Sequence, residues 1–285
     1  MAEAKTEQAV KPQICKWATR SMVLGIIGLI PVQCILTVPP LLAIIFGIIA
    51  LVKIGGSNGA LIGKGRAIAG IILGGLWIVL IIPFIAIVAA IVIPNILVSR
   101  TGANEASAVA SLKTFVATEA CWRQQDADAN GKSDYWTYDV SCLHRMYRAD
   151  GSTKVEFISI DLARADASPA KNDAFDNNTI IAPLIDGTVP KSGYLFQAMV
   201  YDENGESYNQ EEVNGIKATN AFKFAFVAYP DIYGTSGVRT FIVNEAGTIY
   251  AIDPGSDSDK IVLQWPGEDP TRVTGPAGRT WHVAD

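Results

Sequence analysis

The stretch RAIAGIILGGLWIVLIIPFIAIVAAIVIPNILVSRTGANEASAVASLKTFVATEACWRQQ, Arg66 to Gln125, decides the fold. Its first half, Ala67 to Val98, is almost wholly apolar. A run of more than about 20 apolar residues is long enough to cross a bilayer. Its second half is polar but helix-friendly. From Glu105 onward Val109, Leu112, Phe115, Val116 and Ala120 recur at spacings of three and four, which predicts one buried helical face. The stretch therefore predicts a membrane helix that continues as the spine of a soluble domain. Gly102 and Asn104 would permit a break into a span and a separate helix.

Outward from this stretch the composition divides. Hydrophobic residues make up 49% of the 285-residue chain, and the excess is confined to residues 21–98. Charge divides in the same way. Residues 1–100 hold eight Lys/Arg and two acids, whereas residues 101–285 hold 15 Lys/Arg and 26 acids. An acidic C-terminal part argues against a nucleic-acid partner, which needs clustered cations. Residues 1–20 are polar and basic, and the apolar run after them is too long for a cleavable signal.

Residues 21–54 are too long for a single span. Pro31 and the pair Pro39-Pro40 predict two shorter helices, about 22–37 and 40–54, that form a tilted or re-entrant hairpin. A Gly-rich basic loop follows at 55–65. Its Gly-Lys-Gly lacks the order of a phosphate-binding loop. Ionisable residues are absent from 21–52 and 67–99, which argues against transport. The expected organisation is a cytoplasmic tail (1–20), a membrane hairpin with its loop (21–65), a transmembrane stem (66–100) and an α+β ectodomain (101–285). Positive residues in the tail and in the loop favour the cytoplasmic side. A hairpin then leaves the N-terminus inside and the C-terminal domain outside a bacterial inner membrane. With 21–54 as one span, the domain would be cytoplasmic.

The residues carry three resemblances. AAIVIPNILVSR (Ala89 to Arg100) followed by ANEASAVASLKTF (Ala103 to Phe115) resembles the stem of type IV pilins and pseudopilins. That likeness implies a stalk helix packed on an antiparallel β-sheet. The pilin cleavage site would fall at Ile72 and Leu73, and the assembly glutamate at Trp77, so neither device is present. The Gly and Ala spacing in 22–29, 43–51 and 65–74 resembles a small bacterial membrane domain of unknown function. Residues 192–198 and 224–253 resemble an uncharacterised bacterial envelope family.

Beyond the stem, Asp126, Asp128, Asn130 and Asp134 follow the spacing of a calcium loop. Gly131 falls at the turn position and Lys132 offers its backbone carbonyl. Thr137 replaces the usual bidentate glutamate, and Asp139 is a substitute if the loop end shifts. The alternative is a polar turn in which Asp and Asn bond their own backbone. Cys121 and Cys142 are the two cysteines of the domain, against Cys15 in the tail and Cys34 in the first membrane region. An oxidising compartment predicts a disulfide between the pair, and two buried free thiols are the alternative.

Residues 153–166 read as a helix with Val155, Ile158, Leu162 and Ala165 on one face, or as a strand. Residues 167–193 read as a surface loop. Strands are expected at 194–201, 222–228, 239–243, 248–252 and 261–264, with a hairpin turn at 244–247. The tail 265–285 reads as irregular. His144 and His282 match no zinc spacing, and no nucleophile motif is present. The chain is thus expected to be a non-enzymatic, membrane-anchored envelope protein, structural or accessory to a secretion or pilus-like assembly. Its expected partners are the lipid bilayer and other envelope or pilus-like proteins. The alternatives are an extracytoplasmic ligand-binding or sensory module and, third, an envelope hydrolase.

Overall fold

The structure, a computed structural model, describes residues 13–28, 38–128, 130–147, 154–171, 187–213, 215–255 and 261–284. The chain divides into two compact units, Met1–Pro94 and Asn95–Asp285.

In the first unit a two-residue strand β1 (Gln13–Ile14) precedes helix α1 (Lys16–Gly28). Part of the expected basic tail is therefore ordered. Helix α2 spans Val38–Gly55, and β2 (Leu61–Ile62) in the Gly-rich loop pairs in parallel with β1. The expected helix 22–37 thus begins earlier, at Lys16, and its remainder, with Cys34, lies outside the described residues. Helix α3 spans Lys64–Gln125 and includes Pro83 and Pro94. By length and composition α2 and α3 can each cross a membrane.

This unit is built inside out relative to a water-soluble core. Most buried positions are small: Ala18, Ser21, Gly25 and Gly28 on α1, Ala43, Gly47 and Ala50 on α2, and Ala67 on α3, with Pro40, Ile54 and Trp77 the larger buried side chains. A β-carbon added at Gly70 would fall on the Ser21 side chain and backbone. Small residues of this kind let helix backbones approach closely. Ser21 Oγ also donates to Ala43 O at 2.8 Å. Many of the large apolar side chains, among them Val23, Ile26, Ile45, Ile48, Ile72 and Leu76, are exposed.

The second unit is α+β. A five-stranded antiparallel sheet has the order β10-β9-β8-β7-β4, with β4 Tyr194–Ala198, β7 Ala225–Pro230, β8 Thr240–Asn244, β9 Ile249–Ile252 and β10 His282–Val283. A smaller antiparallel sheet runs β3-β6-β5, with β3 Tyr135–Trp136, β5 Glu211–Val213 and β6 Ile216–Asn220. The central strands β7 and β8 are buried on both faces, so they read as nearly continuous apolar runs. One face receives α3: Phe115 stacks edge-on to Phe196 (5.5 Å) and tilted on Phe226 (4.9 Å), with Leu112, Phe241 and Val243 in the same core. The other face buries Ala225, Val227, Ile242 and Ile252 against Met199, Tyr208, Trp265 and Trp281.

The face of α3 differs in phase from the expected one. Ala108, Leu112, Phe115, Glu119 and Trp122 are buried, Val109 and Val116 are half-buried, and Ala120 is exposed. The face accommodates Glu119 because its carboxylate accepts the Trp136 N–H at 2.9 Å.

The expected helix 153–166 shrinks to α5 (Ile160–Arg164), following the short helix α4 (Cys142–Arg145). Ser159 caps α5 by accepting from Leu162 N–H. Val155, Ile158, Leu162 and Ala165 are all buried as the sequence implies, although only Ile160–Arg164 is helical among the described residues of the segment. Residues 172–186 of the expected loop lie outside the described residues, and 261–264 forms an isolated bridge from Gln264 to Tyr201 rather than a strand.

Candidate functional site

Helix α3 ends at Gln125, and Asp126 reverses the chain in a left-handed conformation (φ 46°). Asp and Asn tolerate that region through local hydrogen bonds. Asp126 accepts the Gly131 N–H at 3.0 Å through Oδ2, while its Oδ1 is buried without a hydrogen-bond partner. Gly131 takes φ 77°, the conformation that the sixth position of the loop requires. The Asn130 amide lies between two carboxylates, donating to Asp128 at 2.8 Å and to Asp134 at 3.0 Å. Its own oxygen accepts the Lys132 N–H at 2.7 Å. The Lys132 ammonium reaches across to Glu211 on β5.

The electrostatics follow from this crowding. Burial, reinforced by Asp134, pushes Asp128 up to about 7. Burial raises Glu119 well above the usual carboxylate range, and Asp134 adds to the shift. Glu119 Oε1 is also buried with no hydrogen-bond partner. The end of α3 thus concentrates carboxylates that the structure itself neutralises only partly.

The structure brings Asp126, Asp128, Asn130 and Asp134 into one turn, closed by its own hydrogen bonds. Among the described residues no group of three or more His, Cys, Asp or Glu side chains is arranged to hold a metal ion. The two residues considered for the last ligand position point elsewhere. Thr137 Oγ1 lies 2.8 Å from Asn209 Oδ1, and the Thr137 N–H bonds Ala218 O. The Asp139 carboxylate accepts from Trp136 Nε1, Ser141 Oγ, Cys142 N–H and Ala170 N–H.

The expected Cys121–Cys142 bond is not formed, and both are free thiols. Cys121 faces solvent, because the face of α3 that packs inward is carried by Glu119 and Trp122. Cys142 is fully buried beside Asp139, and burial pushes its thiol well up. Spacing along the chain suggested the pair, but helical phase separates it.

A second polar cluster was not anticipated from the sequence. Asp166 is buried in the core. It accepts Val140 N–H (2.9 Å) and Ser141 N–H (2.7 Å) through one oxygen and Ser168 N–H (2.9 Å) through the other. Burial, with Asp139 nearby, pushes it up to about 8. Arg145, also buried, donates to Ser141 Oγ and Ala170 O. The adjoining cavity of ≈ 10 Å³ has room for about one water. His144 Nδ1 lies 2.8 Å from Ile158 O, so that nitrogen carries the proton and Nε2 faces Lys154 Nζ at 3.1 Å. A carbonyl accepts and never donates, which fixes this tautomer. His144 therefore serves the α4–α5 junction.

With this geometry in view, the matches to known families are informative. Residues 91–273 match the family described as protein of unknown function DUF2950. The chain belongs to the DUF2950 family. The DUF2950 region takes in the end of α3, the acidic turn, the buried Asp166 cluster and most of the large sheet. Residues 17–84 are similar to the domain of unknown function DUF4190, which covers α1, α2 and the start of α3. Neither description names pilins. No curated protein and no solved structure matches the chain.

Proposed function

We propose that this DUF2950 protein is a non-enzymatic, membrane-anchored envelope protein with a pilin-like domain carried on α3. Its role would be structural, or accessory to a cell-envelope, secretion or pilus-like assembly. The inside-out packing of the first unit carries this reading. Small residues are buried while Val23, Ile26, Ile45, Ile48 and Ile72 are exposed. That arrangement is unstable in water but stable where hydrocarbon covers the outer side chains. Along α3 the residues from Ile82 to Val98 continue as exposed apolar surface, and the buried face opens only after Glu105. An apolar helix that becomes a sheet-packed stalk is the arrangement of a pilin stem. The basic residues before α2 and α3 favour a cytoplasmic N-terminus and an extracytoplasmic domain in a bacterial inner membrane.

Native Cys121 is the reporter for this topology. A membrane-impermeant maleimide should label it in intact spheroplasts and should not label a Cys121→Ser variant. Labelling only after lysis would reverse the orientation. Release of the protein by alkaline carbonate would end the membrane reading altogether.

A calcium role for Asp126, Asp128, Asn130, Lys132 and Asp134 belongs to the same proposal. The left-handed Gly131 and the gathered carboxylates support it. The ion would have to displace the Asn130 amide from between Asp128 and Asp134.

One observation favours the alternative, a ligand-binding module. A cleft of ≈ 300 Å³ is lined by Trp265, Trp281, Pro266 and Pro276 together with Glu203 and Gln264. That is the lower end of the range for ligand pockets, about 300–1,000 Å³. Recovery of the protein in sheared filaments from native membranes would favour assembly over capture.

A further inference from the structure

The first unit gathers its positive charge at one end. The β1–β2 pairing, Gln13 to Leu61 and Ile14 to Ile62, seats the start of α1 beside the start of α3. The Cys15 N–H closes the junction on Ile62 O at 2.9 Å. The last turn of α2, which carries Lys53, comes to the same place through Trp17. The Trp17 ring packs edge-on against Phe46 at 5.1 Å, and it meets the Arg20 guanidinium at 5.3 Å and the Lys53 ammonium at 5.1 Å. Lys16, Lys64 and Arg66 complete the end, and all five cations are exposed.

Among the described residues of this unit there is no Asp or Glu, and none of the five cations has an ion-pair partner. Five like charges in one place repel, so an anionic surface would stabilise this end. Exposed Ile14, Ile62, Val52 and Ile68 stand among them. The end therefore offers cations for phosphates and apolar side chains for acyl chains. Trp17 is the residue type that settles at the boundary between the two. Lys and Arg stems reach from such a boundary toward headgroups.

We propose that this end is a binding surface for anionic phospholipid headgroups, with phosphates against Lys16, Arg20, Lys53, Lys64 and Arg66 and with Trp17 at the headgroup–acyl boundary. The proposal rests on the membrane anchoring proposed above and adds lipid selectivity to it. Juxtamembrane cations are drawn to anionic leaflets by the surface potential.

The test uses the full chain in neutral detergent, offered an equimolar mixture of phosphatidylglycerol and phosphatidylcholine. Native mass spectrometry then counts the lipids retained. Wild type should retain phosphatidylglycerol several-fold over phosphatidylcholine. Arg20→Gln with Lys53→Gln should bring the ratio toward unity, while Arg20→Lys with Lys53→Arg should preserve it. Equal retention by wild type would overturn the proposal. So would a preference unchanged by the Gln pair, because the anionic lipid would then sit elsewhere. Millimolar inorganic phosphate is the third arm. Phosphate that strips the retained phosphatidylglycerol would make this a free-anion site and overturn the lipid assignment. A protein that needs no detergent would instead overturn the anchoring, independently of any lipid preference.

Discussion

Glu105 and Arg239 tie the stalk helix to the large sheet. The Arg239 Nε donates to Glu105 Oε2 at 2.8 Å, and the backbone N–H groups of Val238 and Arg239 both donate to Oε1. Glu105 is the first acid after residue 7, and it is buried, at 8% exposure. It is the first residue of α3 whose side chain is committed to the sheet by charge. Hydrogen bonds to charged groups contribute about 1.5–3 kcal/mol each, and stranded buried donors cost a similar amount. Arg239 is partly exposed and would regain water. Glu105→Ala is therefore expected to destabilise the second unit by about 2 kcal/mol. Glu105→Gln, which keeps an acceptor for the two amides, should cost less. Urea unfolding of the two variants decides this, and equal losses would mean that the ion pair matters more than the amides.

Calcium is expected to raise the melting temperature of the full chain. An ion that binds only the folded state stabilises it by about 2.7 kcal/mol at 100 times its dissociation constant. Asp126→Ala combined with Asp128→Ala should abolish the response. Magnesium should act more weakly, because it demands stricter octahedral geometry than a flexible turn provides. A melting curve that does not move in millimolar calcium would leave the turn closed by its own hydrogen bonds through Asn130 and Asp126.

Asp166 should make the domain lose stability as pH rises. Its carboxyl is pushed up to about 8 in the fold, against about 3.9 for an unfolded Asp. The folded state therefore holds a proton that the unfolded chain releases. The stabilisation is complete below about pH 4 and is lost as pH rises through about 8. Asp166→Asn removes the titration but also leaves one backbone N–H without its acceptor, at a cost of about 1–3 kcal/mol. The urea midpoint should thus be lower in the variant at pH 5, yet fall less between pH 5 and pH 8 than in wild type. A variant whose midpoint falls as steeply as wild type would remove Asp166 as the source.

Much of this fold was legible in the sequence, for identifiable reasons. The 60-residue run from Arg66 carries helix α3 because apolar length and spacing signal helices strongly. The strands β4, β7, β8 and β9 fell near their expected places because each is a short apolar run between turn residues, and Asn244 to Gly247 closes its hairpin as expected. The small sheet was missed. Its strands, such as Glu211–Val213 and Ile216–Asn220, are short and charged and have no alternation to read. The tail was expected to be irregular, yet it supplies the edge strand β10 and covers the second face of the sheet through Trp265 and Trp281.

Site residues separated the same way. The acidic turn was legible because its members lie within nine residues, so local geometry alone gathers Asp126, Asp128 and Asp134. The Asp166 cluster joins residues 139 to 170 through backbone amides, and backbone partners leave no trace in side-chain spacing. The face of α3 was legible in part: Leu112 and Phe115 are buried and Val109 and Val116 pack on the core as expected. The face turns toward Glu119 instead of Ala120, and a buried Glu119 breaks the rule that glutamate faces water.

The free thiols give the last test. Cys121 and Cys142 lie 21 positions apart and in the same unit, yet α3 turns Cys121 outward while the start of α4 holds Cys142 in the core. A thiolate is the reactive form, and reactivity needs access as well as charge. Cys121 has access. Cys142 has none, and burial beside Asp139 keeps it protonated. A maleimide added to the folded protein should therefore modify Cys121 quickly. Cys142, and likewise the buried Cys15, should react only when the chain is unfolded. Comparison of wild type with Cys121→Ser by intact mass isolates the fast site. If Cys121 and Cys142 both resist modification in the denatured, unreduced protein, the two sulfurs are bonded and α3 has a different phase at its end. If Cys142 reacts as fast as Cys121 in the folded protein, the α4 segment opens far more readily than its buried network of Asp139, Ser141 and Arg145 implies.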